Sequence, residues 1–135
     1  MNVLVDTSIW SLALRRAKRL DDTTSNELAE LVREGRVVMI GAVRQELLSG
    51  IKGKAQFELL RDHLRAFPDL PLEPPDYEDA AAAFNRCRER GIQGSNTDFL
   101  LCSVALRRDL AIYTSDKDFV QYAKVLKLEL HKPRV

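Results

Sequence analysis

Four carboxylates in this chain stand where separate apolar segments begin or end. Asp6 closes the run Val3-Leu4-Val5, and Glu46 lies on the helical pattern after Val37-Val38-Met39-Ile40. Asp98 opens the apolar stretch 99–106, and Asp116 follows the apolar stretch 110–114. In a parallel sheet the C-terminal strand ends lie along one edge, so acids far apart in the chain meet in one crevice. Carboxylates gathered there repel one another, and either one takes up a proton or a cation sits between them. An all-oxygen donor set suits Mg²⁺, which keeps several waters and needs only a few carboxylates. Oxygen donors without a Cys or His cluster favour Mg²⁺ or Mn²⁺ over zinc. Acid-bound ions of this kind serve phosphodiester chemistry by activating water and clamping the phosphate. Each acid alone reads first as a helix cap. The set of four turns the reading toward ligands, with Asp118 as an outer candidate.

The elements that must position these acids are legible as periodicities. Val3-Leu4-Val5 and residues 37–40 and 110–114 are continuous apolar runs, the pattern of strands buried on both faces. Helical spacing predicts helices over 7–15, 42–49, 54–67, 76–90 and 117–124. Thr24 and Glu27 have the spacing of a capping box opening a further helix that Gly35 ends. The stripe of the 76–90 helix is Tyr77, Ala80, Ala81, Phe84 and Cys87. Residues 99–106 are apolar almost all round, which predicts a central buried helix. Pro68, Pro71, Pro74 and Pro75 mark a loop flanking a short edge strand near Leu72. Alternating Leu126, Leu128 and Leu130 predict a last, half-exposed strand. Helices alternating with short strands give an α/β fold, a sandwich around a mostly parallel sheet.

The bulk properties set limits. The 135 residues suit a single domain, 1–135, with 45% hydrophobic and 30% charged residues. The 21 Lys and Arg against 20 Asp and Glu leave a formal charge of +1, so the whole molecule is not a strongly basic nucleic-acid binder. No apolar run reaches the ~20 residues of a membrane helix. Without a signal-peptide pattern either, a cytoplasmic protein with no membrane partner is expected. Cys87 and Cys102 sit at apolar helical positions and read as buried free thiols. His63 and His131 share no metal-ligand spacing.

With these residues in view, the chain resembles the PIN-domain family, and within it the VapC-type toxins of type II toxin–antitoxin systems. The resemblance rests on an ordered set: Val3-Leu4-Val5-Asp6-Thr7-Ser8, Glu46 in Val43-Arg44-Gln45-Glu46-Leu47, Asn96-Thr97-Asp98 before an apolar helix, and Thr114-Ser115-Asp116-Lys117-Asp118-Phe119. It covers essentially the full length. It implies a three-layer α/β/α sandwich with a central mostly parallel sheet and a Mg²⁺-dependent endoribonuclease. Asp6, Glu46, Asp98 and Asp116 match the family's acidic quartet. Asp6 and Asp98 would be direct metal ligands, Asp116 would complete or bridge the site, and Glu46 would orient or deprotonate the attacking water. Thr7, Asn96 and Ser115 match small polar positions that support the acids by hydrogen bonds. Thr97 stands between Asn96 and Asp98, where the family often has a polar residue directly before the Asp, so the role of Asn96 stays open. The resemblance also implies a homodimer and an antitoxin partner, with residues 42–49 and 54–67 forming the groove that receives it.

An RNA substrate needs positive charge beside the acids. Arg15, Arg16, Lys18 and Arg19 are the first candidates, then Arg86, Arg88, Arg90, Arg107 and Arg108; each group reads first as a solvated helix face. Other classes fit less well. A haloacid-dehalogenase-like phosphotransfer domain needs an Asp two residues past the first, where Ser8 stands. A receiver domain needs paired acids after its first strand. A catalytically silent binding module would have lost acids that are all present here. An RNA-processing nuclease that is not a toxin remains compatible with the same residues.

Overall fold

In the computed structural model, residues 1–15 and 22–134 are described. Arg16, Lys18 and Arg19 lie outside that set, as does the side chain of Arg15, so the basic turn expected there is not placed. The chain runs β1 (Val3–Val5), α1 (Thr7–Arg15), α2 (Thr23–Arg33), β2 (Val37–Val38), α3 (Gly41–Leu48), α4 (Lys54–Leu64), α5 (Pro74–Glu89), α6 (Asn96–Arg108), β3 (Ala111–Tyr113) and α7 (Asp118–Leu126).

The sheet has the order β2-β1-β3, and both pairings are parallel. Val3 is opposite Val37 on one side and Ala111 on the other, and Val5 is opposite Tyr113. Successive strand side chains point to opposite faces. Val3, Leu4 and Val5 are all fully buried, so both faces of the central strand are covered and the molecule has three layers, α/β/α. The expected central helix is α6, where Phe99 to Ala105 are buried without interruption. Its first turn is capped by Ser95, whose hydroxyl accepts from the Asp98 amide at 3.1 Å. Cys87 and Cys102 are buried free thiols. Among the described residues, no helix is long and apolar enough to cross a membrane.

Several local expectations give way to longer-range contacts. The Thr24–Glu27 capping box does not form. Asp22 is the N-cap of α2 and accepts from the Thr24 amide at 3.0 Å. Glu27 is instead buried, with His131 Nε2 at 2.6 Å and Arg134 Nε at 2.8 Å. No edge strand forms near Leu72. The bridge falls earlier, between Met39 and Asp69, where the Leu70 amide donates to the Met39 carbonyl at 2.8 Å. The leucine alternation at residues 126–130 is likewise not a strand. Leu126 belongs to α7 with Phe119, Tyr122 and Val125, Lys127 ends that helix in the left-handed conformation at φ 59°, and only Leu130 bridges to Ile112. In α5, Ala83 joins Ala80 and Cys87 in the core, while Tyr77 and Ala81 are exposed.

Asp76 ties α5 to the end of α6. Its buried carboxylate accepts from the Glu73 amide at 2.8 Å, from Arg107 at 3.0 Å and from both terminal nitrogens of Arg108. The Arg108 hydrogen bond holds Asp76 well below the usual carboxylate range against the effect of burial. Glu27 is also lowered: burial pushes it up, but the bonds from His131 and Arg134 outweigh that. Groups whose pKa falls on folding stabilise the fold above their unfolded value and lose that contribution as pH falls through the folded value. Below about pH 4 the melting temperature is therefore expected to drop as these carboxylates take up protons. A calorimetric series from about pH 4.5 to pH 3 checks this, and a melting temperature that stays level or rises between about pH 4 and pH 3 contradicts it.

Candidate active site

Asp6 is the first residue after β1 and is held by groups from both ends of the chain. It is buried, and its Oδ2 accepts from the Ser8 hydroxyl at 2.8 Å and the Thr114 hydroxyl at 2.7 Å. Thr114 follows β3, so the parallel pairing of β1 with β3 brings the two together. The same Thr114 oxygen accepts from the Asp116 amide at 3.0 Å, and Ser8 Oγ accepts from the Ser115 amide at 3.1 Å. The loop after β3, which carries Asp116, is thus fastened to the turn after β1. Asp116 also accepts from the Asp118 amide, at the start of α7, at 2.9 Å through Oδ1.

Glu46 projects from α3, where the Thr7 hydroxyl donates to its Oε1 at 2.7 Å. A hollow of about 540 Å³ lies there, lined by Thr7, Gln45, Glu46, Ser49 and Thr97. Thr97 places the start of α6 at the same opening. Asp98, in the first turn of α6, accepts from the Tyr122 hydroxyl at 2.8 Å through Oδ2. Burial pushes the Asp98 pKa up; the Tyr122 and Ser95 hydrogen bonds oppose this, and the charges of Asp6 and Asp116 add to it. The sign is opposite to that of Asp76. Folding disfavours the ionised Asp98, and that cost is relieved by acid or by a bound cation.

Among the described residues, no Lys or Arg forms an ion pair with Asp6, Glu46, Asp98 or Asp116. Nor do three acids or other ligating side chains close on one point as a ready cage. The donor chemistry suits a hard cation that keeps most of its waters and takes one or two carboxylates, as Mg²⁺ does.

Of the supporting residues read from sequence, Thr7 holds Glu46, while Ser115 contributes its backbone amide to Ser8. Asp118 contributes its amide to Asp116. Asn96 is exposed at the first position of α6 and donates to none of the acids. Thr114 and Tyr122 support Asp6 and Asp98 without standing out in the sequence. The available signal for Thr114 is a hydroxyl at a strand end beside Asp116. For Tyr122 it is a phenol on an apolar helix face, which needs a partner when buried. Of the basic candidates, Arg107 and Arg108 are committed to Asp76, and Arg86 donates to the Val125 carbonyl at 3.2 Å. Arg88 and Arg90 remain exposed.

A family model described as PIN domain matches residues 3–125. This chain belongs to the PIN domain family. Among solved structures, VapBC2 from Rickettsia felis bound to a DNA fragment from their promoter is similar in fold, with a TM-score of 0.78 at 19% identity over 97% of this chain and 98% of the other. FitAcB from Neisseria gonorrhoeae gives a TM-score of 0.76 at 18% identity over 97% of each chain. VapBC-1 from nontypeable Haemophilus influenzae gives 0.74 at 16% identity over 98% of each. No curated protein matches the chain significantly. Asp6, Glu46, Asp98 and Asp116 lie on segments that follow or flank the parallel strands.

Proposed function

We propose that this PIN-domain protein is a Mg²⁺-dependent endoribonuclease, with Mn²⁺ as a substitute ion, and the toxin of a type II toxin–antitoxin pair. One observation carries the reading: Asp98 is raised by burial and by the charges of Asp6 and Asp116, while no basic side chain among the described residues pairs with these acids. Such a set is stabilised by a cation. Asp6 and Asp98 are the ligands in this reading, with Asp116 completing the site. A bound Mg²⁺ supplies a polarised phosphate and an activated water. Glu46, held by Thr7, would orient the attacking water and accept its proton. Ser8 and Thr114 keep Asp6 in place.

The toxin reading draws on a groove beside Glu46. It has a volume of about 790 Å³ and is lined by residues of α1, α2, α3, α4 and the α3–α4 turn, including Trp10, Leu14, Leu47, Ile51 and Leu59. Leu59 is 62% exposed and Leu14 42%, an apolar surface suited to an antitoxin segment. The similarity to VapBC and FitAcB structures supports the same partner. A cytoplasmic homodimer belongs to this reading.

Incubation of the purified protein with RNA oligonucleotides tests it. Cleavage is expected with Mg²⁺ and is expected to stop with EDTA. Undiminished cleavage in EDTA would overturn the metal-dependent mechanism. Growth arrest on expression, relieved by a co-encoded small protein, distinguishes a toxin from a processing nuclease.

A further inference from the structure

We propose that Tyr122 is a positioning residue for Asp98, setting the carboxylate that the reading above assigns to the metal. The proposal rests on that reading and on three independent features of the structure. Tyr122 is fully buried, yet its hydroxyl is not spent on the core: it donates to Asp98 Oδ2 at 2.8 Å, while the Gln93 carbonyl is at the outer limit, 3.5 Å. The ring is fixed by Phe99, with centroids 4.8 Å apart, and by Phe119 at 5.1 Å. Gly94 leaves the hydroxyl its space. A Cβ at position 94 would stand 2.2 Å from the Tyr122 oxygen and 2.7 Å from its ring carbon.

The glycine is informative because its backbone does not require it. Gly35, Gly50 and Gly91 have positive φ, whereas Gly94 is not among the positive-φ residues. Its lack of a side chain answers to the phenol. The phenol in turn answers to Asp98, the acid 24 residues away that it contacts across the α6–α7 contact. A carboxylate that binds an ion through one oxygen is oriented by a hydrogen bond on the other, and removing such a partner typically costs 10–100-fold in metal affinity. Tyr122 therefore acts through Asp98 and does not touch the substrate.

Mn²⁺ titration without RNA, followed by electron paramagnetic resonance, tests this on the parent protein, Tyr122→Phe and Gly94→Ala. Phenylalanine keeps the ring packing and removes only the O–H. The expected result is saturable binding by the parent and a dissociation constant raised roughly 10–100-fold in Tyr122→Phe. In cleavage assays the Mg²⁺ requirement of Tyr122→Phe shifts upward while its rate at saturating Mg²⁺ stays near the parent's, a split that general loosening of the core would not produce. Gly94→Ala, if folded by circular dichroism, shifts Mn²⁺ binding in the same direction. Parent-like Mn²⁺ affinity in Tyr122→Phe overturns the proposal and leaves the metal reading standing. Failure of the parent to bind Mn²⁺ overturns both.

Discussion

Asp6→Asn is expected to lower RNA cleavage by about a hundred- to a thousandfold, the scale of losing a principal electrostatic contributor to the transition state. The substitution keeps the size and shape of the side chain. The hydroxyls of Ser8 and Thr114, which now donate to Asp6 Oδ2, can rotate to accept from an amide or continue to donate to its oxygen. The turn after β1 and the loop after β3 thus stay joined. What disappears is the negative charge that helps push Asp98 upward. The variant is therefore expected to melt no lower than the parent, and slightly higher in metal-free buffer, because a repulsion has been removed without a packing loss. A stable but inactive protein is the signature of an acid retained for chemistry. Cleavage at the parental rate, measured on the same RNA with saturating Mg²⁺, would contradict the role given to Asp6.

Asp76→Ala is expected to have the largest effect on stability and to act by an unrelated route. Asp76 is fully buried and gathers Arg107, Arg108 and the Glu73 amide, so its removal strands two guanidinium groups and a backbone donor at the junction of α5 and α6. Breaking a buried charge pair by deleting one partner typically costs 3–5 kcal/mol. The side chain of Arg107 is 35% exposed and that of Arg108 23%, so both regain water and the expected loss is near the lower end, about 3 kcal/mol. For a chain of this length that corresponds to a fall in melting temperature of roughly 10 °C. Differential scanning calorimetry at pH 7 checks it. A shift of under ~2 °C would mean that the cluster is not holding the helices together.

What the sequence made legible divides along chain distance. The runs Val3-Leu4-Val5 and residues 110–114, each followed by an acid, are short and strongly patterned, and they form adjacent parallel strands. The apolar stretch before Arg107 had to be a central helix, since no single face of it is polar. The failures share a cause. Thr24 and Glu27 have the spacing of a local cap, but Glu27 is claimed by His131 and Arg134, more than a hundred residues on. Leu126, Leu128 and Leu130 alternate like a strand, but Leu126 completes the buried side of α7 with Tyr122. In each case a tertiary partner outweighed a local preference.

For the proposed site, the sequence points to which acids to consider and not to what holds them. Asp6, Glu46, Asp98 and Asp116 announce themselves by following or preceding apolar segments. Their supports come from elsewhere: Thr114 reaches Asp6 across the sheet, and Tyr122 reaches Asp98 from another helix. Asn96, adjacent in sequence to the Asp98 region, donates to neither acid because it sits exposed at the first position of α6. Hydrogen bonds of this kind depend on register between elements, which a single sequence does not encode locally.

The most direct test of the shared metal site is anomalous diffraction from crystals soaked in Mn²⁺. The account predicts a peak between Asp6 and Asp98, within reach of Asp116, that is missing from crystals of Asp6→Asn. Mn²⁺ bound only elsewhere on the molecule, or an unchanged peak in Asp6→Asn, would contradict it.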